Sequence, residues 1–488
     1  MTSYDSIPSV RPLATWWKPA LAVVLLGYFV AFNWGALRVH FAIDDVGNIG
    51  HYFDYSPLQL VLSNFLPWRG DSRPMGGLFY VPVYHFAGLN PLPYQAVMLL
   101  ILLASVYLAY RFAGLLGAGE LAASLVAMVC CYHGGVANLY YNAAFVFDVL
   151  CLFFYLASMV YYLRIRTRGQ TPGALQTVLF LLLFLGALNS KEMAVSVPVM
   201  ILAYEWTYHP PVRFAPGALI AWLRGSARVS LIAGALTAVD IYGKIAVTNA
   251  MIQAESYHPV FTVARFRDFQ IALFQDLFFS WGWTPGWGQI VGTIALLAWL
   301  AWRRADRPVL RFLFWWMMVV PIPIDFLPGK RGACFALLMV GGAVFAAVVV
   351  ADAVESAAAW LVREFKIPAP GRTVLVGAMV SVLVLVWVRD QRHLRLDTGK
   401  DPMTTLGFET WDIIQQMRAT PFHPRPGSSA AFLEDPYHSL DMYFLARLWF
   451  HDRTVTIHIP SQGPLTPQEL ARMDYVFTVE NRKLLRLR

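Results

Sequence analysis

The run PALAVVLLGYFVAFNWGAL, Pro19–Leu37, gives way within a few residues to Ala42-Ile43-Asp44-Asp45-Val46-Gly47-Asn48. That junction decides how the rest of the chain is read. The run carries no charge, and as a helix its length reaches about 28 Å, close to the roughly 30 Å hydrocarbon core of a bilayer. Arg11 and Lys18 precede it, no small-residue cleavage site follows, and more apolar runs come after it. It therefore reads as a retained membrane span rather than a signal peptide. Two adjacent carboxylates then stand at the membrane surface where the chain leaves that span.

The whole composition agrees with lipid as the solvent. Apolar residues make up 58% of the 488 positions and charged residues 14%, against roughly half and a quarter in soluble domains. The net charge is +8, but the basic residues cluster in short loops between apolar runs, so membrane orientation explains them and nucleic acid is not a partner. Cys130, Cys131, Cys151 and Cys334 all lie inside apolar runs. There they act as small hydrophobes, with no metal or disulfide spacing.

About eleven apolar runs qualify as spans: 19–37, 95–116, 121–137, 143–163, 174–189, 193–208, 229–249, 286–302, 308–327, 332–351 and 373–388. With the N-terminus inside, alternate connections carry Arg164, Arg166 and Arg168; Arg213, Arg224 and Arg228; Arg303, Arg304 and Arg307; and Arg363, Lys366 and Arg372. The positive-inside rule puts these clusters in the cytoplasm. The long loops 38–94 and 250–285, and everything after Trp387, then fall outside. Residues 1–388 read as an all-α polytopic membrane domain and 389–488 as a soluble one.

Sorted this way, the unusual polar residues share the outer face. Asp44 and Asp45 leave the first span, Asn189-Ser190-Lys191-Glu192-Met193 follows the fifth, and Asp325-Phe326-Leu327-Pro328-Gly329-Lys330-Arg331 follows the ninth. Asp148 enters the fourth span from the same side. Each has a structural alternative. Asp45 could cap a helix starting at Val46, Lys191 and Glu192 could be a charged hairpin, and Lys330 and Arg331 could be snorkelling anchors. Asp148 could be satisfied by Asn142 or Tyr141. Asp240 and Lys244, four residues apart, read as a structural ion pair, and His51, His85, His133 and His258 have no partner spacing.

Together these residues suit one chemistry. A lipid-linked phosphate leaving group at an interface needs cations as charge develops on it, and an acceptor hydroxyl needs a carboxylate to take its proton. The loops add to such a site. Pro57–Leu66 is compatible with an interfacial helix, and the turn-rich stretch after it brings Arg69 and Arg73 to the surface. In the second long loop Arg265, Arg267, Phe274, Leu277, Phe278 and Phe279 make an amphipathic pattern, a rail for a prenyl chain or a plain anchor.

These landmarks resemble the GT-C superfamily of polyprenyl-phosphate-sugar-dependent glycosyltransferases, closest to bacterial relatives of the protein O-mannosyltransferases and the TMTC transferases. Asp44-Asp45 is similar to the family's acidic pair in the first extracytoplasmic loop. Asn189-Ser190-Lys191-Glu192-Met193-Ala194 with Pro198 resembles its Ser-Lys-Glu segment, and Tyr140-Tyr141-Asn142 through Asp148 and Leu150 resembles the stretch before its fourth span. The resemblance implies that Asp44 or Asp45 is the catalytic base and that Lys191 and Arg331 face the donor phosphate. It implies inverting transfer from a polyprenyl-phosphate monosaccharide to a glycan or protein acceptor on the periplasmic face of a bacterial inner membrane, with a divalent metal left open. The chain departs from the TMTC pattern at Val146, where those proteins have Arg, and it has no repeat of about 34 residues.

Beyond about residue 398 short strand and helix patterns alternate, which argues for a small α/β domain. Thr466 and Pro467 open a helix within it. A transporter or flippase would place its polar groups near mid-bilayer, often within internal repeats. The one-sided charges and the absence of repeats favour an enzyme. An oligosaccharyltransferase or glycan ligase shares the sidedness and remains an alternative.

Overall fold

A computed structural model describes residues 17–41, 43–68, 73–247, 257–279, 284–420, 422–435 and 441–488. α1 (Trp17–Asn33) ends in a 3-10 turn, Trp34–Arg38, and the first long loop folds into α2 (Ile43–Phe53), α3 (Pro57–Ser63) and α4 (Pro74–Ala87). α5 (Pro91–Leu115), α6 (Glu120–Cys131), the short α7 (Asn138–Tyr141), α8 (Val146–Arg166), α9 (Ala174–Leu188) and α10 (Val197–Tyr208) follow. α11 (Pro216–Arg224) and α12 (Arg228–Tyr242) meet at a sharp bend, and α13 (Val263–Leu277) occupies the second long loop. α14 (Trp287–Arg303), α15 (Pro308–Val319), α16 (Ile322–Asp325), α17 (Ala336–Glu364) and α18 (Ala369–His393) complete the membrane part.

All eleven apolar runs fold mainly as helix, but their lengths sort them. Among the described residues six helical stretches are long and apolar enough to cross a membrane, and the bent pair α11–α12 makes a seventh. This is fewer than the eleven crossings read from hydropathy. The reason is reach: α6 has 12 residues and α9 has 15, so they extend only about 18 and 22 Å at 1.5 Å per residue. α10 is equally short and carries a buried Glu205. Apolar runs of this size pack within a bundle as readily as they cross a bilayer.

α8 is the axis of the bundle, buried along most of its length between α5 and α9. Tyr155 on it shares a hydrogen bond of 3.0 Å with Ser196 and meets the edge of Trp316, whose indole N–H donates to the Leu337 carbonyl at 3.0 Å. α18 is the opposite case. Val374, Val382 and Leu385 stand on its outside, which lipid tolerates and water would not.

The C-terminal region forms a four-stranded mixed sheet in the order β2-β1-β3-β4. Its strands are β1 (Ser429–Phe432), β2 (Thr456–His458), β3 (Tyr475–Glu480) and β4 (Lys483–Arg486). β1 runs parallel to β2 and β3, and β4 returns antiparallel to β3. α19 (Pro402–Ala419), α20 (Asp441–Phe450) and α21 (Pro467–Arg472) accompany it. Thr466 caps α21 through a reciprocal bond with Glu469, as its sequence indicates. α18 runs on to His393, so Arg389, Arg392 and His393 belong to its last turns and the boundary read between residues 388 and 389 falls inside that helix.

Candidate active site

The acidic pair lies in the first turn of α2. The helix starts at Ile43, so Asp45 does not cap a helix beginning at Val46; both carboxylates sit inside the turn, where the helix dipole favours negative charge. Asp44 is exposed and Asp45 is 1% exposed. Although Asp44 opens to solvent, partial desolvation by the protein around it raises its carboxyl above the usual aspartate range. α2 is tied to α4 by aromatic side chains. Asn48 donates to the Tyr80 hydroxyl at 3.3 Å, Tyr80 donates to the Ala143 carbonyl at 3.0 Å, and Tyr52 donates to the Arg73 carbonyl at 2.7 Å.

Arg73 opens the other end of α4. Its guanidinium pairs with Glu192 at 2.9 Å, bonds the Tyr257 hydroxyl, and lies over the rings of Tyr257 and Phe147. Burial would raise the Glu192 carboxyl, but Arg73 and Lys191 beside it outweigh that and hold it down at about 2. Lys191 reaches both oxygens of Asp148 at 2.6 Å, with Cys334 Sγ at 3.5 Å. Lys330 lies 3.9 Å from the centre of the Tyr257 ring. The start of α4 thus meets the cations and Glu192 through Arg73, and Tyr80, beside the acid pair, follows seven residues on, about 10 Å along the axis.

The residues singled out by sequence divide into three groups. Arg73, Lys191, Glu192, Asp148 and Lys330 meet in this cluster. Asp148 is satisfied by Lys191, and not by Asn142 or Tyr141, whose side chains bond elsewhere. Arg331 is turned away to Asp276 at 2.8 Å and Gln275 at 3.1 Å, Arg265 donates to the Leu327 carbonyl, and Arg267 makes an exposed contact with Asp268. Arg69 lies outside the described residues. The pair Asp240–Lys244 is present at 3.1 Å, with Lys244 also bonding the Leu188 carbonyl.

Tyr257 and Asp276 were not marked by sequence reasoning. Asp276 had a signal, since it falls on the same helical face as Phe269 and Ala272, all buried. Tyr257 had none. Asp325, only 3% exposed, has a carboxylate oxygen without a hydrogen-bond partner among the described residues. The far end of the bundle holds a different set: Arg166 with both oxygens of Glu205 at 2.7 Å, and Arg304 and Arg307 on Asp352. Among the described residues no three His, Cys, Asp or Glu side chains stand together as metal ligands.

No protein-family model matches the chain, and no curated protein does. Among solved structures, the oligosaccharyltransferase of Archaeoglobus fulgidus, tethered to an acceptor peptide containing the NVT sequon, matches with a TM-score of 0.53 at 10% identity, over 92% of this chain and 64% of that one. This chain therefore spans less than two thirds of that protein's length. ArnT from Cupriavidus metallidurans, bound to undecaprenyl phosphate, gives 0.49 at 13% identity, over 97% of this chain and 98% of the other. The first match shows likeness of fold and nothing finer: a mostly helical chain arranged as in that structure, with six or seven helical stretches among the described residues long and apolar enough to cross a membrane.

Proposed function

We propose that the protein is an integral-membrane glycosyltransferase that moves a monosaccharide from a polyprenyl-phosphate donor to an acceptor hydroxyl. The acceptor is a glycan, glycolipid or protein on the outer face of the membrane. The observation that carries this reading is α4, which joins the cation cluster at Arg73 to the acid pair through Tyr80 and Tyr52. The fold adds support only by analogy.

In this reading the acceptor oxygen attacks the anomeric carbon as Asp44 takes its proton. The bond from that carbon to the phosphate oxygen breaks, with inversion, and the departing prenyl phosphate gains charge. Lys330 receives that charge most readily. Lys191 is neutralised by Asp148 and Arg331 by Asp276, whereas Lys330 makes no ion pair among the described residues. Arg73, paired with Glu192, lies over the same Tyr257 ring as Lys330. Asp45, buried near Tyr80, positions the turn.

The test is transfer in reconstituted vesicles from a panel of radiolabelled prenyl-phosphate monosaccharides. Asp44→Asn should lower the rate about 10²- to 10⁴-fold, the scale of a lost general base. Lys330→Ala should weaken donor binding about 10- to 100-fold, the cost of one charged hydrogen bond. Full activity in Asp44→Asn, Asp45→Asn and the double variant would reject the acid pair as base. Transfer only from a prenyl-diphosphate oligosaccharide would replace this reading with a glycan ligase.

A further inference from the structure

We propose that the C-terminal α/β domain is the positioning element of the acid helix, gripping α2 along its length so that Asp44 is held toward the donor site. The catalytic consequence rests on the function proposed above; the grip itself does not.

α2 is a weak helix on its own. It has 11 residues and contains Gly47 and Gly50, both poor helix formers beside Ala, in a segment below the roughly 12–15 residues an isolated helix needs. Its order must come from what it packs against. One side rests on α4, as described. The other rests on the C-terminal domain at three places.

Before the helix starts, the His40 ring stacks on Trp411 of α19, with centroids 4.8 Å apart and planes at 9°, and Phe408 meets it edge-on. Gly407 comes so near that a Cβ there would lie 2.9 Å from the His40 carbonyl oxygen. At the middle, Phe444 of α20 covers Gly50, where an added Cβ would meet the ring at 2.5 Å. At the far end Arg447 donates to both oxygens of Asp54 at 2.8 and 2.7 Å, and Arg453 donates to the Phe53 carbonyl at 2.6 Å. Tyr84 of α4 closes the group by donating to the Leu448 carbonyl at 3.2 Å. The face bearing Asp44 stays open between the first and second contacts.

These contacts differ in strength, which determines the useful variants. The Arg447–Asp54 pair is partly exposed, with Asp54 at 41%, and water and salt screen such pairs to a small contribution. Phe444 on Gly50 is apolar packing that no salt screens. Phe444→Ala and Gly50→Leu therefore loosen the grip from its two sides, one by leaving a gap and the other by filling the space Phe444 occupies.

The experiment measures amide hydrogen exchange of the full-length protein in nanodiscs, alongside steady-state transfer. Both variants should speed exchange in α2 about fivefold or more, while peptides covering α8 keep the wild-type rate. Transfer should lose turnover with the donor KM within about twofold, the sign of a displaced base rather than a lost donor contact. Wild-type exchange in α2 for both variants, or an increase shared equally by α8, overturns the proposal. If the wild-type protein transfers no sugar from any donor, the exchange result alone decides the grip, and it is the reading of the active site that fails.

Discussion

Asp148 and Lys191 are each about 5–6% exposed and meet through both carboxylate oxygens. A buried pair of this kind is costly to break, because removing one partner strands the other charge at about 3–5 kcal/mol. Lys191→Ala and Asp148→Ala should each lower thermal stability in detergent sharply. The double variant Lys191→Met with Asp148→Leu should recover much of the loss, and equal damage in the double would show that the pair is not a unit. Asp44 behaves in the opposite way. Desolvation disfavours its charged form, so stability at this site is fullest when it is protonated and falls as pH rises through its raised pKa. Its service as a base needs the ionised form. The acid limb of the rate profile should therefore lie above the usual aspartate range and disappear in Asp44→Asn, which a pH series on turnover would check. None of these partners was legible in the chain alone. The residue types were, but Lys191 sits 43 positions from Asp148, and nothing in the spacing says which acid takes which cation.

At the scale of elements, α13 shows how a helix redirects a residue. Arg331 looks from sequence like a phosphate ligand, yet Asp276 holds its guanidinium and also accepts from the Gly332 amide at 2.9 Å. Asp276→Ala should cost about 1–3 kcal/mol by stranding that partly buried amide and the Arg331 guanidinium, with donor affinity unchanged. Arg331→Ala should likewise change the melting temperature more than the donor KM; a large KM effect would return Arg331 to the donor site. The helices themselves were readable because apolar runs longer than a turn or two have few other ways to satisfy their backbone. The number of crossings was not, since hydropathy does not separate a short bundle helix such as α6 from a full span. The small sheet was readable from its alternation and from the Thr466 cap, but its docking site was not: its contacts to α2 join segments nearly 400 residues apart.

For the whole molecule, the polar cluster and the α/β domain share one end of the bundle, and the basic loops with Asp352 and Glu205 share the other. If the basic end is cytoplasmic, as the positive-inside rule requires, alkaline phosphatase fused after Lys400 should be active in cells. The same reporter inserted after Gly169 should be silent, and the reverse pattern would invert the proposed orientation. The grip on α2 also bears on biosynthesis. Asp54 leaves the ribosome 393 residues before its partner Arg447, a delay of roughly 20–80 s at ordinary elongation rates. Through that interval the acid helix leans on α4 and the Ala143–Phe145 turn without the α/β domain. A nascent or prematurely terminated chain would already have its membrane helices in place while lacking the second support for Asp44, so transfer would begin only when synthesis reaches the sheet.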